Sequence, residues 1–116
     1  MSYDVFLECP CCGSGPTDHG FNYTWNMGYA IRHGGIEMYR REDSPPHGRF
    51  VLDGAKASDA LPALLACIER IEADADALRE QEPKNGWGSV DTLLAGFLRP
   101  IAAACVEYPG CIVRVT

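Results

Sequence analysis

A chain of 116 residues has room for one hydrophobic core, which predicts a single domain over residues 1–116. Its formal charge of -6 argues against a nucleic-acid partner, because neutralising phosphates takes a basic face. No stretch approaches the roughly 18 apolar residues of a membrane span, and the start Met1-Ser2-Tyr3-Asp4 lacks the basic residues of a secretory signal, so a cytoplasmic protein without a membrane partner is expected.

Residues 3–8 alternate, with Tyr3, Val5 and Leu7 on one face and Asp4, Phe6 and Glu8 on the other, and predict a strand. Residues 10–20 are rich in glycine and proline and predict a loop. Residues 25–33 predict a short helix ended by Gly34-Gly35, and residues 36–41 a second strand. Arg40, Arg41 and Arg49 form a local basic cluster, but Glu37, Glu42 and Asp43 interrupt it, as in a solvated loop of mixed charge. Ser44-Pro45-Pro46-His47-Gly48 is a turn, and Phe50-Val51-Leu52 a short extended piece.

Leu61, Leu64, Leu65, Ile68 and Ile71 recur at helical spacing. Ser58 or Asp59 is the expected N-cap, which places Pro62 in the first turn, where proline is tolerated. A shorter helical piece over residues 77–81 stops at Pro83. Ser89 is a good N-cap for a second strong helix, whose apolar face is Val90, Leu93, Leu94, Phe97, Leu98, Ile101 and Cys105. Pro100 lies inside it, so a kink or break is expected near Phe97. Residues 111–116 alternate and form the last strand. The expected fold is a small α+β sandwich in which the first and last strands pair antiparallel and the short sheet packs against two main helices.

Such pairing brings Cys9, Cys11 and Cys12 near Cys111. Cys9-Pro10-Cys11-Cys12-Gly13 has the C-P-x-C-G form of a zinc knuckle, in which two thiolates face one ion and the glycine permits a tight turn. The chain has no second C-x-x-C, so a zinc site would be completed from elsewhere; the candidate ligand set is Cys9, Cys12, His19 and Cys111. Free thiols or an adventitious disulfide are the alternatives. Cys67 and Cys105 fall on or beside helical apolar faces and read as small buried hydrophobes.

Two segments hold both tryptophans: Phe21-Asn22-Tyr23-Thr24-Trp25-Asn26 and Asn85-Gly86-Trp87-Gly88-Ser89. Amides and hydroxyls fix the orientation of a polar ligand, and indoles supply a flat wall for it to stack on. The second segment runs into a helix N-terminus, where unsatisfied N–H groups and the helix dipole favour an anion. Asn22, Thr24, Trp25, Asn26, Asn85 and Trp87 are therefore the candidate site for a small polar or nucleotide-like ligand. The alternative is structural: Asn85-Gly86 is also a turn signal, and Asn22 or Asn26 can cap the helix that follows. Neither a dinucleotide-binding glycine motif, a P-loop nor a hydrolase elbow is present. A non-enzymatic binding module leads, ahead of a protein that contacts a host protein through a zinc-stabilised loop.

The N-Y-T-W-N segment, Leu52-Asp53-Gly54, Ala60-Leu61-Pro62-Ala63-Leu64-Leu65, Asn85-Gly86-Trp87-Gly88 and the closing Val113-Arg114-Val115 fall in order along most of the chain. Together they resemble a family of small bacteriophage and actinobacterial proteins with N-Y-T-x-N and N-G-W-G motifs. The resemblance implies a genomic setting and no mechanism, and the C-P-C-C-G loop lies outside that pattern.

Overall fold

The computed structural model of the protein describes residues 2–11, 20–39 and 48–116. Strand β1 (Ser2–Glu8) lies at the centre of a three-stranded antiparallel sheet, between β2 (Phe21–Thr24) and β5 (Ile112–Val115). The alternation read from the sequence holds: Tyr3, Val5 and Leu7 face the core at 6%, 0% and 0% exposure. First and last strands pair antiparallel, from Val5 opposite Val115 to Glu8 opposite Ile112. The β5 edge is covered from outside. Gly54 N–H donates to Val113 O at 2.7 Å, Val113 N–H to Ala55 O at 2.8 Å, and Val115 N–H to the Asp53 carboxylate at 3.1 Å, so its ladder groups are spent within the chain.

Strand β2 was not foreseen. Its two aromatic residues, Phe21 and Tyr23, pack against the core while Asn22 is exposed, a two-residue period that four residues carry too weakly to declare a strand. A 3-10 turn (Trp25–Met27) and helix α1 (Gly28–His33) follow, close to the expected helix, and Thr24 caps the turn, its Oγ1 accepting the Asn26 N–H at 3.3 Å. The second expected strand is shorter than residues 36–41. β3 (Ile36–Glu37) pairs in parallel with β4 (Phe50–Val51) as a separate two-stranded ribbon. The chain bends at Met38 and Tyr39, and the Tyr39 ring joins those of Tyr3 and Trp25 at centroid distances of 5.6 and 6.2 Å. Arg40, Arg41 and the turn at 44–47 lie outside the described residues.

Helix α2 (Ala57–Ala73) starts earlier than expected. Neither Ser58 nor Asp59 caps it: Lys56 holds the cap position, and the first N–H groups are satisfied by main chain. Ala57 donates to Cys111 O at 2.8 Å and Ser58 to Pro109 O at 3.0 Å, which docks the helix start onto the turn before β5. Pro62 therefore sits beyond the first turn, inside the helix and solvent-exposed. The buried stripe is Ala57, Ala60, Leu64, Cys67, Ile68 and Ile71, whereas Leu65 is 52% exposed. Helix α3 (Ala75–Arg79) is the expected short piece, shifted by two residues.

The last helical run starts at α4 (Val90–Leu93), with Ser89 as N-cap, its Oγ accepting the Thr92 N–H at 3.1 Å. It widens into a π-turn over Leu94–Leu98 and continues as α5 (Arg99–Glu107). The expected break near Phe97 is thus a widening. Pro100 has no N–H for the Gly96 carbonyl, and the Arg99 N–H reaches back five residues to Leu94 O, a π-type bond that keeps the helix continuous. All seven residues assigned to its apolar face are buried. Helices α2 and α5 pack on each other, and α2 and the π-turn pack against the sheet.

Helix α1 meets α2 at Gly34. A Cβ there would lie 2.2 Å from Cys67 Sγ and 3.1 Å from Cys67 Cα, so only glycine allows this approach. Gly34→Ala is expected to destabilise the protein by about 1–3 kcal/mol through overpacking, measured as a lower urea midpoint at unchanged m-value; an unchanged midpoint would show that the two helices separate freely.

Candidate functional site

The two tryptophan-bearing segments meet. The phenolic OH of Tyr23 on β2 donates to Ser89 O at 3.0 Å, accepts the Ser89 N–H at 3.1 Å and lies 2.6 Å from Thr92 Oγ1. The ring behind it packs on Phe97 of the π-turn, with centroids 5.4 Å apart. Gly88 completes the approach. Its φ of +108° is one that side-chain-bearing residues rarely adopt, and a Cβ would fall 2.7 Å from Met27 Cγ and 3.0 Å from Thr24 Cγ2. Asn26 Nδ2 spans the seam to Trp87 O at 3.5 Å.

A cleft of about 600 Å³ opens along this seam, lined by Asn22, Thr24, Asn26, Asn85 and Trp87 with Ser2 and Tyr23. Five of the six candidate residues therefore share one surface. Trp25 does not join them. It points to the other side of the strand, where its Nε1 donates to Tyr39 OH at 3.2 Å and its ring stands 6.0 Å from that of Tyr3. There it lines a second cavity of about 290 Å³ with Tyr3, Arg32 and Tyr39. The cause is strand geometry: successive side chains at 24, 25 and 26 leave the β2 end and the 3-10 turn in different directions.

The structural alternative is also only partly met. Thr24, and neither Asn22 nor Asn26, caps the turn. Asn22 Nδ2 instead donates to Ser2 Oγ at 2.9 Å and to Asp4 Oδ1 at 2.7 Å, across the pair Asp4–Asn22. Asn85 does act as a turn residue, its Oδ1 accepting the Trp87 N–H at 3.0 Å. That leaves the Asn85 amino group and the Asn22 and Asn26 amide oxygens without a hydrogen bond among the described residues. The Trp87 main chain is thus fixed on both sides, yet its indole is 67% exposed.

The helix N-terminus behind the cleft has three of its first N–H groups bonded within the chain and the Asp91 N–H without a bond among the described residues. Glu82 Oε1 accepts the Val90 N–H at 2.8 Å, Ser89 Oγ accepts that of Thr92, and Tyr23 OH that of Ser89. The chain's own carboxylate is bonded to the Val90 N–H, at the positive end of the helix dipole. Nothing in the sequence marks Glu82, eight positions before Val90, as that partner. Ser2 was likewise missed; its place follows from the register that sets it opposite Thr24.

The cysteine expectations divide. Cys67 and Cys105 are fully buried, and burial pushes their thiols up to about 12 and about 11, so both stay protonated and inert at neutral pH. Of the candidate zinc ligands, Cys12 and His19 lie outside the described residues. Cys9 and Cys111 immediately flank the paired ends Glu8 and Ile112, and among the described residues no group of three or more metal-ligating side chains is assembled. His33 contacts Asp74 at 2.7 Å. None of the described helices is long and apolar enough to cross a membrane.

Removing the Tyr23 hydroxyl tests the seam. Tyr23→Phe keeps the ring against Phe97 but strands the Ser89 N–H, whose carbonyl keeps the Leu93 N–H at 2.9 Å, and should cost about 1–3 kcal/mol in chemical denaturation; a change indistinguishable from zero would mean the two segments are held together by other means. Compared with known proteins, the chain matches no family model, no curated protein and no solved structure.

Proposed function

We propose that the protein is a non-enzymatic binding module that holds a small polar ligand, the nucleotide-like class included, in the cleft between residues 22–26 and 85–87. The observation that carries this reading is the exposed Trp87 ring, fixed through its main chain at the lip of a cleft lined by amides and hydroxyls. An indole exposed at the lip of a polar cleft offers a flat face on which a ligand can stack. The cleft volume falls within the roughly 300–1,000 Å³ of small-molecule sites. Binding is favoured over catalysis because the described lining residues are all uncharged. Among the described residues no imidazole or carboxylate is bonded to the Ser2 or Thr24 hydroxyl, and the Tyr23 hydroxyl is engaged with Ser89. The N-Y-T-W-N and N-G-W-G segments, which resemble those of phage and actinobacterial proteins, support a phage-encoded setting.

A thermal-shift and calorimetry screen of nucleotides, nucleosides, cyclic dinucleotides, ADP-ribose and saccharides tests the reading. A ligand that raises the melting temperature of the wild type, and does so far less in Trp87→Ala, is expected, since a ligand that binds only the folded state stabilises it. No shift with any of these classes would contradict it.

A second reading has one observation behind it. Cys9 and Cys111 flank the paired ends of β1 and β5, which fits a zinc-stabilised loop in a protein that contacts a host protein. Metal analysis of protein purified without chelator would then return about one zinc per chain; less than half an equivalent would remove this reading.

A further inference from the structure

The cleft's electrostatics narrow its ligand. None of the described residues that line it is charged: Ser2, Asn22, Tyr23, Thr24, Asn26, Asn85 and Trp87 offer only hydroxyls, amides and one exposed ring. Behind the walls stand two carboxylates. Asp4 is bonded to Asn22 Nδ2 at 2.7 Å, and Glu82 occupies the helix N-terminus at the Val90 N–H. A phosphate entering here would meet no guanidinium or ammonium among the described lining residues, would find the Val90 N–H already bonded to Glu82, and would face both carboxylates in a chain of net charge -6. A cation gains little either, because both carboxylates are hydrogen-bonded within the protein and neither lines the cleft.

What remains suits a neutral polyol with one flat apolar face. The indole's electron-rich face accepts the weakly positive axial C–H groups of a pyranose ring. The Asn85 amino group and the Asn22 and Asn26 amide oxygens offer donors and acceptors to hydroxyls that are each both donor and acceptor. The Trp87 main chain is held before binding by Asn85 Oδ1 and Asn26 Nδ2, so stacking orders only its side-chain torsions. We infer that the cleft binds a neutral pyranose residue, stacked on Trp87 and hydrogen-bonded by Asn22, Asn26 and Asn85. This rests on the binding-module reading above and names its ligand class.

The test is a 1H–15N NMR titration of the full chain with methyl β-D-glucopyranoside, N-acetyl-D-glucosamine, cellobiose and chitobiose, beside adenosine, AMP and choline. The inference predicts that a saccharide moves the Trp87 indole N–H and the side-chain amides of Asn26 and Asn85, while the Trp25 indole N–H stays put. Affinity should change less than about twofold between low and high salt, and fall roughly tenfold or more in Trp87→Ala, whose folding is checked by its unchanged dispersed spectrum. Trp25→Phe should bind as the wild type. A disaccharide held more tightly than a monosaccharide identifies a glycan, and equal affinity a free sugar; either supports the inference. Adenosine, AMP or choline bound at these same resonances in preference to every saccharide would overturn the pyranose assignment and leave the binding module standing. No perturbation of the cleft by any of the seven compounds would overturn both.

Discussion

One phenolic oxygen joins the two halves of this molecule. Tyr23 belongs to an edge strand of the sheet, Ser89 to the entry of the last helix, and the Tyr23 hydroxyl serves the N–H and C=O of Ser89 at once. Because Ser89 is also the N-cap, the same contact sets where the helix begins relative to the sheet. Everything in the cleft follows from it. The Asn85-Gly86-Trp87-Gly88 loop is carried to the end of β2, Gly88 closes against Thr24 and Met27, and the Asn26 amide reaches Trp87 O.

The electrostatic character of the cleft is a consequence of how that helix is capped. A bare N-terminus would have been an anion site. Here a hydroxyl, a phenol and the Glu82 carboxylate use the first N–H groups, and the cleft in front of them is left neutral. The Tyr23 bond that ties the helix to the sheet is thus also one of those that occupy the helix's first N–H groups.

Much of the fold was legible because period and punctuation agreed. Tyr3, Val5 and Leu7 alternate, the seven apolar residues of the last helix repeat at helical spacing, and Ser89 caps as its type suggests. What escaped was decided by tertiary partners. The start of α2 is capped by the carbonyls of Pro109 and Cys111, some fifty residues away in sequence, so its own Ser58 and Asp59 are passed over. The Pro100 break became a π-turn because the Arg99 N–H could still reach Leu94 O. In the site, residue types were readable and directions were not. Asn22, Thr24, Asn26, Asn85 and Trp87 share the cleft, yet Trp25, between two of them, faces Tyr3 and Tyr39. Glu82 and Ser2 could be placed only once strand register and helix docking were known.

The most direct measurement on this architecture is a three-dimensional NOESY spectrum of the isotopically labelled protein. The Gly88 α-protons should show strong cross-peaks to the Thr24 methyl and the Met27 side chain, since a Cβ on Gly88 would lie within 3.0 Å of both. Those peaks would fix the two tryptophan segments as one seam. Their absence from an otherwise well-dispersed spectrum would contradict a shared cleft and return the segments to two unrelated loops.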